Sequence, residues 1–302
     1  MFKGMELLSS QRCFNGEQRR YRFESEQLNG SSTVGVFLPP SALVTDAAAV
    51  PALIWLSGLT CSDENFVQKA GAQRRAAELG LALITPDTSP RGNNVPTDPS
   101  GQWDFGCGAG FYVDADREPW SKHYRMHSFV LEELPLRLCS ELPLDGQRLG
   151  LSGHSMGGHG ALVLGLRHPN CFQSISAVAP ICHPSQCPWG QKAFGYFFGT
   201  TPEAQLLWRQ WDAVSLLEDG HRRNDCVLVD LGSEDPFLQE QLLPEDLRIA
   251  AAHNHQPLAL LIHEGYDHSY FFVASVIDRH LQHHAQALGL SGYLITHKPP
   301  RP

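Results

Sequence analysis

The most chemically pointed segment of the chain is Gly153-His154-Ser155-Met156-Gly157, a G-x-S-x-G pentapeptide. A serine held on a sharp strand-to-helix turn stands clear of a sheet edge, and small flanking residues let the backbone bend that tightly. The context supplies both flanks: Arg148–Ser152 reads as a short strand and Met156–Arg167 as the helix that follows. The plain alternative is a glycine-rich turn with no catalytic task.

A serine hydroxyl is a weak nucleophile until a base accepts its proton, and the base needs a carboxylate to orient it. After such an elbow the partners follow in the order acid, then histidine. Val227–Leu231 reads as a strand running into Gly232-Ser233-Glu234-Asp235. Leu258–His263 reads as a strand running into Gly265-Tyr266-Asp267-His268-Ser269. Ser155, Asp235 and His268 are therefore the candidate nucleophile, acid and base, although the residue types alone do not separate Asp235 from its neighbour Glu234. Asp267 reads as an Asx residue that shapes its own loop.

Acyl transfer also needs donors for the developing oxyanion. The backbone N–H of Met156 is one candidate. Leu59 is the other, in the loop Ser57-Gly58-Leu59-Thr60-Cys61 after an early strand. Cys61 reads as a small, half-buried thiol lining the site rather than a second nucleophile. His280, His283 and His284 share the last helix and read as a solvated face, and Cys182 and Cys187 have no second pair at ligand spacing. No metal and no cofactor are expected.

These residues need a scaffold of alternating strands and helices. Thr33–Leu38, Ala52–Leu56, Leu81–Thr85 and Ser174–Ala179 complete the set of apolar strand candidates. Helical spacing covers Phe66 to Leu79, a stretch capped by Ser121 and disturbed by Pro135, and Tyr270 to about Leu288. The alternation predicts an α/β fold with a mostly parallel central sheet and helices on both faces, where sites form beyond the strands' C-terminal ends. Asp87 to Trp120 has no clear period and reads as a long functional loop. The whole chain, 1–302, is expected to be one domain. Residues 182–220 read as a helical insertion over the site, and 291–302 as a loose tail.

Composition narrows the partners. With 302 residues, 42% apolar and 18% charged, the chain has enough apolar content to exclude a disordered class. A net charge of −9, with arginines clustered no further than pairs, disfavours nucleic acid and anionic membranes. The longest apolar stretch, Ala47 to Leu56, is about half of the ~20 residues a membrane helix needs. The first residues carry Lys3, Glu6 and Arg12 and no apolar core of a secretory signal. Eight sparse cysteines then read as reduced thiols in a cytoplasmic protein.

Longer segments carry a family likeness. They include Trp55-Leu56-Ser57-Gly58-Leu59-Thr60-Cys61, Pro86-Asp87-Thr88-Ser89-Pro90-Arg91-Gly92, Trp103-Asp104-Phe105-Gly106 and Gly108-Ala109-Gly110-Phe111-Tyr112-Val113-Asp114. Tyr124-Arg125-Met126, Gly153 to Gly160, Cys187-Pro188-Trp189-Gly190 and Glu264 to Tyr270 complete them. Through these, from about Thr33 to His284, the chain resembles the S-formylglutathione hydrolases, the esterase D family of α/β-hydrolases. The resemblance implies the α/β-hydrolase fold and hydrolysis of a small-molecule thioester, S-formylglutathione, to glutathione and formate in formaldehyde detoxification. It also implies a Ser155–Asp235–His268 triad, a homodimer, and sensitivity to thiol reagents through Cys61. By the same resemblance Asp235, not Glu234, is the acid, and Trp189 and Lys192 line the site. Gln191-Lys192 stands where the family usually has two lysines, which bears on affinity for glutathione. Two rivals to this reading are a broader carboxylesterase of short acyl groups and a non-catalytic binding scaffold on the same fold.

Overall fold

The described residues form nine strands: β1 Glu6–Cys13, β2 Gly16–Ser25, β3 Gly30–Leu38, β4 Val50–Leu56, β5 Ala82–Pro86, β6 Leu144–Gly153, β7 Ser174–Val178, β8 Val227–Gly232 and β9 Leu258–His263. The computed structural model describes residues 4–290, so the expected tail, 291–302, lies outside the described residues. The strands form one sheet in the order β1-β2-β3-β5-β4-β6-β7-β8-β9. From β5 to β9 across that order every pairing is parallel, while β1, β2 and β3 are antiparallel and β3 also meets β5 antiparallel. The expected mostly parallel sheet is thus present. Every residue of β4, β5, β7 and β8 is buried, as strands covered on both faces must be.

Several boundaries differ from expectation for local reasons. The single helix expected over Phe66 to Leu79 is broken at Gly71 (φ 68°) into Glu64–Lys69 and Ala72–Leu79. Ser121 caps no helix. Its hydroxyl bonds Glu118 at 3.0 Å, and helix begins only at Met126, passing a wide π turn at Phe129–Glu133 before Pro135. The β1–β2 hairpin leaves no clear mark in the sequence because its residues are mostly polar and partly exposed. The helix Pro244–His253 is likewise beyond what the sequence predicts, its buried face being only Leu247, Ala250 and Ala251.

The last helix, Tyr270–Ala287, corrects the expected solvated histidine face. His280 and His284 are fully buried, and burial pushes both imidazoles toward the neutral form. His284 bridges Ser174 and Ser176 at 2.7 Å each, and His280 joins Ser176 (2.8 Å) to Asp230 (3.1 Å). These bonds fasten the helix to β7 and β8. Among the described residues no helix is long and apolar enough to cross a membrane.

Parallel strands point the same way, so the C-terminal ends of β4, β6, β8 and β9 share one edge of the sheet. The loops after them carry Leu59, Ser155, Asp235 and His268 respectively.

Candidate active site

The peptide after β6 turns into the helix Met156–Arg167 through Ser155, which adopts φ 57° and ψ −119°. A non-glycine residue there carries roughly 1–3 kcal/mol of strain, so its surroundings must hold it. They do. His154 N–H donates to Leu56 O at 2.9 Å and Ser155 N–H to Val178 O at 3.0 Å, while Ser155 O accepts from His159 N–H at 3.0 Å. The flanking glycines are required by contact. A Cβ on Gly153 would stand 2.2 Å from Gly157 O, and one on Gly157 only 1.9 Å from Leu56 O.

Beyond β8, the loop turns Asp235 inward and leaves Glu234 exposed. His268 Nδ1 pairs with Asp235 Oδ2 at 2.5 Å, and the other carboxylate oxygen accepts the Phe237 N–H at 2.9 Å. The choice between neighbouring carboxylates is therefore made by geometry: only Asp235 reaches the histidine. With Nδ1–H committed to a carboxylate, Nε2 keeps the lone pair. The imidazole rests against His154 (ring centroids 4.6 Å) and the edge of Phe237 (5.0 Å). Asp267 bonds the N–H and hydroxyl of Ser269 at 3.0 and 2.6 Å, which is the loop-shaping role expected of it.

Ser155 and His268 line one cleft of about 280 Å³, together with Leu59, Cys61, Trp103, Trp189 and Tyr270. Among the described residues Ser155 Oγ has no hydrogen-bond partner, so nucleophile and base share the cleft without a bond between them. Such bonds are commonly long in the free enzyme and tighten around substrate. The loop after β4 passes close by: a Cβ on Gly58 would lie 3.1 Å from Ser155 Cβ. Neither Leu59 N–H nor Met156 N–H donates to an acceptor among the described residues, so both donors are free. The loop is anchored by Thr60 N–H on Gly108 O (2.9 Å) and by Arg91, which bonds Cys61 O at 2.9 Å.

Cys61 lines this cleft as a buried thiol, and burial raises its pKa, which makes it a poor nucleophile. Trp189 also lines it, edge-on to Trp103 at 5.7 Å. Lys192 does not. Its ammonium is held by Asp98 at 2.6 Å and by Asp104, and two carboxylates leave it little charge to offer a substrate. Arg91 is similarly taken up by Asp87 at 2.7 Å. Sequence reasoning passes over Asn65, Lys69, Phe237 and Tyr270 as lining residues. For Asn65 and Lys69 the available signal is position: they stand four apart on the helix that follows the Leu59 loop.

Comparison with known proteins agrees with this arrangement. The Esterase family model matches residues 25–283. The S-formylglutathione hydrolase of Rattus norvegicus is 45% identical over 287 residues, covering 94% of this chain and 99% of that protein. The Mus musculus S-formylglutathione hydrolase is 45% identical over 285 residues, with the same coverage. An S-formylglutathione hydrolase structure from Agrobacterium tumefaciens superposes with a TM-score of 0.90 at 42% identity, covering 94% of this chain and all of that one. The sheet, its order and its helices are those of the α/β-hydrolase fold. On a match that spans nearly the whole chain, and with the elbow serine and the Asp235-bonded histidine facing one cleft, the chain belongs to the S-formylglutathione hydrolase family of esterases.

Proposed function

We propose that the protein is a serine-dependent thioester hydrolase that cleaves S-formylglutathione to glutathione and formate. The observation that carries the chemistry is the strained Ser155 elbow opening into the same cleft as the Asp235-bonded His268. The substrate comes from the relatives named for it.

His268 Nε2 takes the Ser155 proton as Oγ attacks the formyl carbon, with Asp235 balancing the imidazolium. The carbonyl oxygen becomes an oxyanion facing the Leu59 and Met156 N–H groups. Each such donor is worth about 2.7–4 kcal/mol of barrier. Collapse expels the glutathione sulfur, which recovers the proton, and leaves a formyl ester on Ser155. Water then gives its proton to His268 and attacks that ester, releasing formate and restoring the serine. A thiolate leaves more readily than an alkoxide, so acid assistance matters less in the first half-reaction.

The same reading carries a cytoplasmic homodimer. It is supported by the family resemblance and by all eight cysteines being free thiols.

The test compares kcat/KM for S-formylglutathione with that for p-nitrophenyl acetate. The thioester is expected to be preferred by about 10²-fold or more, the range that binding energy from a whole peptide moiety supplies. A preference for the aryl ester would replace this reading with a broader carboxylesterase. Labelling by a fluorophosphonate at Ser155 is expected, and its failure would point to a binding scaffold.

A further inference from the structure

The proposed substrate carries two carboxylates and one ammonium, yet it must enter a protein of net charge −9. A cation near the cleft is required, and Arg91 and Lys192 are consumed by internal carboxylates. Lys69 is the only Lys or Arg among the cleft's described lining residues. It ends the helix Glu64–Lys69 and makes no ion pair among the described residues. Its ammonium stands 5.7 Å from the centre of the Tyr270 ring, so the charge leans over the cleft wall.

One turn earlier on the same helix is Asn65, which also lines the cleft. Its amide orientation is fixed, because Oδ1 accepts the Ser62 backbone N–H at 2.9 Å, and that partner can only donate. The Nδ2 group is then a pair of donors without an acceptor among the described residues. Residues four apart share one helix face, so a fixed amide donor and an unpaired ammonium stand side by side at the cleft.

We propose that Asn65 and Lys69 form a carboxylate-binding subsite that holds one carboxylate of the glutathione moiety. This inference rests on the substrate reading above and adds the residues that select for it. The ammonium supplies charge and the amide supplies direction, so together they favour an anionic thioester over a neutral acyl ester entering the same cleft.

The test is the ratio of kcat/KM for S-formylglutathione to that for p-nitrophenyl acetate, measured in wild type and three variants. Lys69→Glu reverses the charge and is expected to lower the ratio about tenfold. Asn65→Asp keeps the acceptor for Ser62 but replaces the donor with a repelling oxygen, and is expected to lower it by a similar about tenfold. Lys69→Arg keeps the charge and is expected to hold the ratio within about twofold. With the dimethyl ester of S-formylglutathione, which has no free carboxylate, the Lys69→Glu effect is expected to shrink to about twofold or less. Unchanged ratios in both acidic variants would overturn the subsite, and so would an equal loss on the diester. Absence of S-formylglutathione turnover in wild type would instead overturn the substrate reading beneath it.

Discussion

Ser155→Ala is expected to lose about 10⁴–10⁶-fold in kcat on S-formylglutathione, followed by loss of the thioester absorbance. The variant removes the one atom that can carry the formyl group, while His268 and both free N–H donors stay in place. Residual hydrolysis by water in that cleft sets the floor. Folding is expected to survive, because the elbow is held by backbone bonds to Leu56 and Val178 that alanine retains. A near-wild-type melting temperature alongside lost turnover is the expected pair of measurements. Full turnover in a folded Ser155→Ala protein would remove the serine from the mechanism.

Asp235→Asn is expected to cost about 10⁴-fold in kcat near neutral pH. The 2.5 Å contact to His268 Nδ1 does two things that asparagine cannot do together. A carboxylate accepts only, so it fixes the proton on Nδ1 and leaves Nε2 free to receive another. An amide can present its NH₂ instead, which favours the opposite tautomer and blocks the base. It also offers no negative charge against the imidazolium. The neighbouring substitution Glu234→Gln is the control. That side chain is exposed, and a loss below about twofold is expected, as for surface changes generally. Equal losses at both positions would detach Asp235 from the base.

The buried apolar strands of this molecule are legible in the sequence, while the exposed hairpin and the buried polar contacts are not. Strand β4 is a continuous apolar run and β5, β7 and β8 are mostly apolar, because both their faces are covered, and short runs of that kind mark strands buried between helices. The elbow is readable for a similar reason: contact at 1.9–2.2 Å leaves Gly153 and Gly157 no substitute. The β1–β2 hairpin has one exposed, polar side and gives no such signal. Between Asp235 and Glu234, residue types are silent, since only the direction of the loop after β8 decides which one turns inward. Lys192 misleads for a different reason. Its charge is visible in the sequence, but its partners Asp98 and Asp104 lie far away in the chain. The histidines at 280 and 284 mislead too, because a polar residue on a helix suggests solvent until Ser174, Ser176 and Asp230 appear beneath it.

The proposed acid and base hang from the last two strands of the sheet, and β9, at its edge, is partly exposed and has no partner strand on its outer side among the described residues. The nucleophile, by contrast, follows β6 deep in the sheet, flanked by β4 and β7. Edge elements open with lower free energy than central ones. Detachment of β9 would carry His268 away from Ser155 while leaving the rest of the molecule folded. The enzyme is therefore expected to lose activity, reversibly, at denaturant concentrations below those that unfold its helices. Amide hydrogen exchange would register the same event as early loss of protection in β9, with β6 still protected.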